Sequence, residues 1–376
     1  MRKSLFVSIG WLVCLLGMAS AAQVQQPRII DLDGKGVPDV EIVMTSTCLL
    51  SGLGGIVSGG STVKTDAQGY FLWDTTPPRF IAECQTSSSF EYKVTKNGLV
   101  FNRTSFGYGQ ASVIPTPRKG YDNRLPLIYA MPSNTPSWAA ASSANYAQLP
   151  LTNDMIVAGF GATLATETVS STTLPLATTL GNRRVLVRDG SGTERPAKLI
   201  FVSPSQINFI LPGGMPNGAV AIRVVDTNNA LIRACLSEVG RLALGIFAAD
   251  ANGRGVAASQ IVRVKPGNIQ TYEPVAQYDT TARRFVALPI DFGPADNEIF
   301  LVLYGTGFRQ VAALSDVTVT LGGTAGTVTY AGLQPSLDGL DQINVKLPRT
   351  LIGRGDVDVV VKIGDLTSNT VTVRIK

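Results

Sequence analysis

The 376-residue sequence contains no histidine. This absence excludes every mechanism that needs an imidazole, including Ser-His-Asp and Cys-His nucleophiles, histidine-ligated zinc and histidine acid–base catalysis. Charged residues make up only 16% of the chain and aromatic residues only 7%. The net charge of +5 includes Arg2 and Lys3, and it is not gathered into a basic stripe. The sequence therefore does not indicate a nucleic-acid partner.

The other common routes to catalysis also lack their motifs. The eight glutamates lie in no recognisable acid–base pattern, and there is no CxxC pair and no Walker or dinucleotide glycine loop. The run Asp31-Leu32-Asp33-Gly34 is similar to the start of a calcium loop, but the chain after it does not continue the pattern, so a turn is favoured. We expect no enzyme activity, no cofactor and no metal; a hydrolase with a carboxylate pair assembled in space is the remote alternative.

The amino terminus has the pattern of a secretory signal peptide. Two cations precede an apolar run at residues 5–18, and Ala19-Ser20-Ala21 supplies small residues for cleavage. The run is shorter than the roughly 20 residues of a membrane span, and no later segment is long and apolar enough to cross a bilayer. Residues 1–22 are therefore expected to direct export to the periplasm, the cell surface or the medium.

Three cysteines follow the signal peptide, and their pairing is open. An exported chain meets an oxidising environment, which favours a disulfide between Cys48 and Cys84 and leaves Cys235 as a buried thiol. The alternative is that all three are reduced core residues.

The body of the chain has the pattern of β-structure. Short alternating apolar runs, such as residues 317–321 and 371–375, are separated by turns rich in glycine and proline. The whole chain has 38 glycines and 21 prolines. This pattern is typical of antiparallel β-sandwiches. We predict an all-β fold of three consecutive sandwich modules after the signal peptide.

An internal repeat supports a duplicated module. The run at residues 206–212 recurs at 342–348, and the pieces at 160–164 and 304–308 precede the two copies. Alternation predicts that one face of each strand is buried, namely Ile207, Phe209 and Leu211 in the first copy and Ile343, Val345 and Leu347 in the second. Gln206 and Asn208 lie on the other face, where we expect their amides to satisfy a neighbouring loop; the alternative is a ligand site.

These patterns divide the chain into segments. The predicted modules and linker, in chain order, are the signal peptide (1–22), a first small sandwich (27–105), a Pro- and Ser-rich connector (106–151), the first repeat (152–248), and an irregular insertion with the second repeat (249–376).

The first small module contains Asp33-Gly34 and Gly36-Val37-Pro38 within residues 29–42, and Thr65-Asp66 and Gly69-Tyr70-Phe71 within residues 63–71. On these residues it resembles the carboxypeptidase regulatory-like domain, a transthyretin-like sandwich. It implies an accessory module without catalysis, in a broader fold group that includes carbohydrate-binding modules. The loop at residues 51–61 is longer and richer in glycine than the family pattern.

The rest of the chain resembles a C-terminal domain family first described from Solibacter-type soil bacteria. The matching pieces are spread over about 240 residues, at 141–146, 156–161, 201–208, 245–247, 303–307, 330–335 and 339–344. Each half is also similar to an IPT/TIG immunoglobulin-like module. The family has no assigned activity, so the resemblance implies a fold without a reaction.

Aromatic and basic residues around the connector give the main binding hint. Exposed rings can stack on sugars while arginines add polar contacts, and the candidate ligand contacts are Phe106, Tyr108, Tyr121, Arg124 and Tyr129. The alternative is that these side chains pack the connector against its neighbouring modules. We expect an exported, non-enzymatic protein of adhesion or cell-surface interaction, whose partner is an extracellular protein or glycan. A carbohydrate-binding accessory protein is the alternative.

Overall fold

The computed structural model describes residues 28–49, 56–71, 88–102, 105–108, 127–148 and 150–376. In these residues the regular structure is almost entirely β-strand, arranged mostly in antiparallel pairs. The helical segments found there are two 3₁₀ turns, Leu314–Asp316 and Arg349–Leu351. The prediction of an all-β sandwich fold is confirmed. Among the described residues, no helix has the length and hydropathy needed to span a bilayer.

The amino-terminal unit packs a four-stranded sheet against a three-stranded one. Its strands are β1 (Ile29–Ile30), β2 (Glu41–Leu49), β3 (Ile56–Lys64), β4 (Ser88–Thr95), β5 (Leu99–Phe101), β6 (Ser105–Tyr108) and β7 (Ile128–Pro132). The sheet orders are β3-β2-β4-β6 and β1-β7-β5. Val40, Ile42 and Phe71 are fully buried in the core of this unit, because alternate residues of a strand share one face.

The turns of this unit form as the sequence predicts. Asp66 Oδ1 accepts the backbone N–H groups of Gln68 and Tyr70, both at 2.9 Å. Gly69 has a φ of +81°, and a Cβ there would lie 2.0 Å from the carbonyl oxygen of Ile29. Asp31 Oδ1 likewise accepts the N–H groups of Asp33 and Lys35, each at 2.9 Å. This oxygen therefore caps a turn, which is the structure that the sequence favoured over a calcium loop.

The middle unit contains the first copy of the repeat. Its strands are β8 (Ala139–Ser142), β9 (Ile156–Phe160), β10 (Val169–Ser170), β11 (Arg183–Arg188), β12 (Glu194–Pro196), β13 (Lys198–Val202), β14 (Gln206–Ile210), β15 (Gly218–Asp226) and β16 (Leu231–Val239). The next strand along the chain, β17 (Gly245–Ile246), pairs instead with residues 305–306 of the carboxyl-terminal unit. The two facing sheets have the orders β10-β13-β14-β9-β8 and β12-β11-β15-β16. Trp138 and Phe209 lie in the core between them, with ring centroids 5.9 Å apart.

The carboxyl-terminal unit contains the second copy. Its strands are β18 (Ser259–Lys265), β19 (Ile269–Pro274), β20 (Ala276–Asp279), β21 (Arg284–Ala287), β22 (Pro289–Ile290), β23 (Glu298–Thr306), β24 (Val317–Leu321), β25 (Thr324–Leu333), β26 (Asp341–Lys346), β27 (Gly355–Ile363), β28 (Leu366–Thr367) and β29 (Val371–Ile375). The long strand β25 pairs first with β24 and then with β26, so it joins the two layers of the sandwich. The resulting sheet order is β19-β18-β23-β26-β25-β24-β27-β29-β22.

The two repeats share one strand arrangement. The order β13-β14-β9-β8 in the first repeat corresponds to β25-β26-β23-β18 in the second. The residues predicted to point inward are buried in both copies, with Ile207, Phe209, Leu211, Ile343 and Val345 at 0% exposure and Leu347 at 3%. This part of the prediction is confirmed.

The predicted connector also contains regular structure. Strands β7 and β8 both fall between residues 106 and 151; β7 belongs to the amino-terminal unit and β8 is the edge strand beside β9. Residues 109–126 lie outside the described part of the chain. The module boundaries stay a prediction.

Cys235 is a free, buried thiol in the core of the middle unit, as predicted. Burial raises the pKa of this thiol to about 12, since the thiolate would lose its hydration. Cys48 lies on strand β2, where only its backbone is described, and Cys84 lies outside the described residues. The Cys48–Cys84 disulfide therefore stays a prediction.

Candidate functional site

The predicted ligand contacts around the connector do not form a described site. Phe106 and Tyr108 lie on strand β6, where only the backbone is described, and Tyr121 and Arg124 fall outside the described residues. Tyr129 is described and has no exposed surface. The prediction that its ring contacts a ligand is therefore wrong.

Tyr129 instead holds the amino-terminal unit against the first repeat. Its hydroxyl donates a 2.8 Å hydrogen bond to the carbonyl oxygen of Asp189. The ring lies in a small apolar cluster in which Ile30 and Met131 meet Ala219 and Ala221 of the first repeat. Burial raises the pKa of Tyr129 far above its ordinary value. The alternative interpretation, packing between neighbouring modules, is correct for this residue.

The outer face of the second repeat brings together a group of residues that the sequence did not identify. Gln342 and Asn344 lie on β26, opposite Tyr304 of β23 on one side and Tyr330 of β25 on the other. Side chains of directly opposed residues point to the same face of a sheet. Two further members come from the next strands, Gln260 on β18 and Tyr272 on β19. We call this set of six the tyrosine–amide face.

Register explains why these side chains point outward. Ile343 and Val345 occupy the alternate positions of β26, and they pair with Leu303 and Leu301 in the core. Since the side-chain period of a strand is two, burying those residues places Gln342 and Asn344 on the opposite surface. The same rule places Gln260 outward, because Ile261 is buried at 1% exposure.

Internal hydrogen bonds hold the amides in place. Gln342 Nε2 donates to Asn344 Oδ1 at 2.7 Å, and Gln260 Nε2 donates to Tyr304 Oη at 2.8 Å. Among the hydrogen bonds of the described residues, none reaches Gln342 Oε1 or Asn344 Nδ2. One acceptor and one donor therefore remain free beside each other on a surface that is already ordered.

The tyrosines provide apolar rings with polar tips. Tyr272 is 64% exposed and Tyr330 is 38% exposed, whereas Tyr304 is half-buried between them. Burial raises the pKa of Tyr304, and Tyr272 adds to this rise while the hydrogen bond from Gln260 opposes it. The Tyr304 phenol is therefore protonated at neutral pH. Because its oxygen accepts from Gln260, its own proton is available to a ligand.

Gly332 makes room for one of these rings. It lies opposite Gln342, and the side chain of Tyr330 extends over it toward the carbonyl oxygen of Leu333, to which its hydroxyl donates. A Cβ at Gly332 would lie 3.1 Å from Tyr330 Oη. The absence of a side chain here lets the Tyr330 ring lie along the face beside Gln342.

The first repeat shows that the amide pair is a shared feature. Gln206 Nε2 donates to Asn208 Oδ1 at 2.8 Å, as in the second repeat. The expectation that these amides satisfy a neighbouring loop is wrong, because the two side chains bond to each other along the strand. The repeat contains both Gln342 and the Tyr304-Gly305 piece, and the structure places Gln342 and Tyr304 opposite each other on β26 and β23.

Two fully buried carboxylates lie elsewhere and serve the fold. Asp189 accepts the N–H groups of Ser191 and Thr193 and pairs with Arg195. Asp341 accepts the N–H of Phe308 at 2.8 Å and pairs with Arg309 at 2.7 Å. Within the described residues, no group of three or more acidic or cysteine side chains is placed to hold a metal ion.

Comparisons with known proteins identify no family for the chain. No protein-family model matches the sequence, and no curated protein matches it. The kinship with the carboxypeptidase regulatory-like and Solibacter-type families therefore stays a prediction. Among solved structures, the chain is similar to Bacteroides ovatus SGBP-B of the mixed-linkage glucan utilization locus, determined in complex with a mixed-linkage heptasaccharide. The identity is 10%, the alignment covers 94% of this chain and 67% of that chain, and the TM-score is 0.27.

Proposed function

We propose that the protein is a non-enzymatic glycan-binding protein that holds a polysaccharide chain on the tyrosine–amide face. The observation that carries this proposal is the combination of exposed tyrosine rings with a pre-ordered, half-satisfied amide pair on one sheet surface. Export by the predicted signal peptide and adhesion to a glycan-coated surface are parts of the same proposal.

The chemistry of a sugar matches this surface. A pyranose ring has a C–H face that packs on an aromatic ring, and a rim of hydroxyl groups that both donate and accept hydrogen bonds. The free Gln342 Oε1 and Asn344 Nδ2 supply one acceptor and one donor for neighbouring hydroxyls. The Tyr304 hydroxyl supplies a further donor.

The dimensions favour a chain over a single sugar. Tyr272 on β19 and Tyr330 on β25 are separated by four strand spacings, which at about 4.8 Å each amount to about 19 Å. Several units of a polymer can span this distance. Preorganised side chains reduce the entropy lost on binding, which suits a weak, repeated contact.

Affinity electrophoresis tests the proposal directly. The purified protein is run through gels containing soluble β-glucan, xylan or galactomannan, and the retarding polysaccharide is then titrated by calorimetry. We expect retardation by at least one neutral polysaccharide. Tyr272→Ala should weaken binding by roughly tenfold or more, as loss of an exposed aromatic anchor commonly does.

The equivalent face of the first repeat offers a matched control. Phe160→Ala removes the aromatic residue that corresponds to Tyr304 and should leave the affinity unchanged. Failure of all neutral polysaccharides to bind the folded protein would reject the proposal. Equal losses from Tyr272→Ala and Phe160→Ala would show that binding does not depend on the tyrosine–amide face.

A further inference from the structure

A second surface, distant from the tyrosine–amide face in the sheet order, carries an excess of positive charge. An open groove of about 940 Å³ lies between the β20–β21 hairpin, the loop at residues 250–256 and the outer surface of β27 and β29. Its size is at the upper end of the range for ligand sites, roughly 300–1,000 Å³. We call it the arginine groove, lined among others by Arg254, Arg283, Arg284, Phe285, Asp356 and Arg374.

Most of the positive charge in the groove has no acidic partner at ion-pair distance. Arg374 forms two 2.7 Å hydrogen bonds with Asp356, so the charges of these two side chains neutralise each other. In the described part of the chain, no salt bridge involves Arg254, Arg283 or Arg284, all of which are exposed. The remaining lining carboxylate, Asp250, accepts the backbone N–H of Phe285 at 2.9 Å.

Backbone hydrogen bonds order the hairpin turn that carries two of these arginines. Asp279 Oδ1 accepts the N–H groups of Thr281 and Ala282, at 2.8 and 2.9 Å, and this turn leads directly into Arg283 and Arg284. These backbone hydrogen bonds are the main reason that the pKa of Asp279 is lowered, and Arg284, which lies opposite it, contributes less. Asp279 Oδ1 is thus occupied by the backbone hydrogen bonds of the turn.

The same hairpin carries a pair of aromatic side chains. Phe285 lines the groove and packs edge-on against Tyr278, with ring centroids 5.4 Å apart. Tyr278 is 53% exposed. The lining of the groove therefore includes an aromatic residue as well as several arginines.

We propose that the arginine groove binds an acidic polysaccharide, whose sugar rings carry carboxylate groups. A uronic acid unit offers a C–H face for Phe285 and a carboxylate on the rim of the same rigid ring for the arginines. An acidic peptide carries its carboxylates on flexible side chains, which lose more conformational entropy when they are fixed. The proposal goes beyond neutral glycan binding and does not depend on the tyrosine–amide face.

Calorimetry with oligogalacturonate at low ionic strength tests the proposal. We expect the protein to bind it, and Arg254→Gln with Arg284→Gln to weaken binding by at least about tenfold, because two charge-assisted contacts are lost. Lys362→Gln is the matched control. It removes one positive charge from the outer surface of β27, six residues or about 20 Å from Asp356, and should bind like the wild type.

Two further probes separate the classes of ligand. The fully methyl-esterified oligosaccharide lacks the charge and should not bind, and poly-glutamate should bind at least about tenfold more weakly than oligogalacturonate. Equal binding of poly-glutamate would overturn the assignment to polysaccharide. An unchanged affinity in the double arginine variant, checked for an unchanged melting temperature, would overturn the groove as the site. Tyr272→Ala should leave oligogalacturonate binding intact, which separates this proposal from the previous one.

Discussion

The two repeats have the same frame and different outer surfaces. In both, a glutamine donates to an asparagine two residues along the central strand, at 2.8 Å in the first repeat and 2.7 Å in the second. In both, an aromatic residue lies opposite the glutamine, Phe160 in one and Tyr304 in the other. The neighbouring strand on the other side has a register shift at the same place, before Phe201 and before Tyr330.

The contacts of the two aromatic residues differ. Phe160 packs against Tyr146, with ring centroids 5.9 Å apart, and the Tyr146 hydroxyl donates to the carbonyl oxygen of Ala251. The aromatic surface of the first repeat is therefore partly used to join the two repeats. Tyr304 has a free hydroxyl proton and exposed tyrosines on both sides. A duplicated frame thus serves assembly in one copy and is available for binding in the other.

The largest effect is expected where the repeats are alike, in the buried strand residues. Ile207→Ala and Ile343→Ala should each lower the free energy of unfolding by about 2–5 kcal/mol, because each leaves a cavity in a closely packed core. Chemical denaturation followed by fluorescence measures both. A loss below about 0.5 kcal/mol in either variant would contradict the equivalence of the two frames.

The common frame could be predicted because it depends on short-range pattern. Alternation assigned Ile207 and Ile343 to the core, and the recurrence of the Gln-Ile-Asn run assigned both to one kind of strand. The burial of Tyr129 could not be predicted this way. Its environment is created by Ala219 and Ala221, about 90 residues away, and a packing contact at that separation leaves no local pattern.

The two buried Asp–Arg pairs are expected to respond to pH in opposite directions. Burial raises the pKa of Asp189, but hydrogen bonds from Ser191 and Arg195 outweigh it and the net pKa is lowered. At Asp341 burial is the largest effect, and the pKa is raised despite Arg309. A lowered carboxyl pKa stabilises the folded state above the unfolded pKa of about 3.9, and this stabilisation is lost on acidification.

Asp189→Asn should therefore cost about 1–3 kcal/mol at neutral pH, and the difference from wild type should shrink as the pH falls below about 4. For Asp341 the pH dependence of stability has the opposite sign, since the folded state binds the proton more tightly than the unfolded state does. The wild type should gain stability relative to Asp341→Asn as the pH falls through the folded pKa. Urea denaturation at several pH values measures both differences, and parallel pH profiles for the two variants would contradict the assignment.

A smaller effect is expected from exchanging the aromatic residues that distinguish the repeats. Tyr304→Phe gives the second repeat the residue of the first, and removes the hydroxyl that accepts from Gln260. Loss of one neutral hydrogen bond of about 1 kcal/mol corresponds to roughly fivefold weaker binding of a neutral polysaccharide. Calorimetry measures the affinity, and an unchanged value would remove the Tyr304 hydroxyl from the site.

The amides of this site could be predicted from the sequence, but the residues that surround them could not. Gln342 and Asn344 occupy the repeat positions of Gln206 and Asn208, which alternation places outward. Gln260 lies on β18, which pairs with β23, and Tyr272 lies on β19, which pairs with β18; both pairings are set by the folded sheet. The connector aromatics were favoured instead because they are close in sequence. Nearness along the chain is a poor guide in a sheet, where neighbours across strands come from distant segments.

The smallest effect is expected from the reciprocal exchange, Phe160→Tyr. This change gives the first repeat a hydroxyl opposite Gln206, so an amide pair and a tyrosine would then be present in both copies. Polysaccharide affinity and stoichiometry should stay within about twofold of wild type, because Tyr146 still covers the ring and β8 offers Ala141 where the second repeat has Gln260. A second binding event in calorimetry would show that the hydroxyl alone makes the site, and that the exposed tyrosines of the second repeat are dispensable.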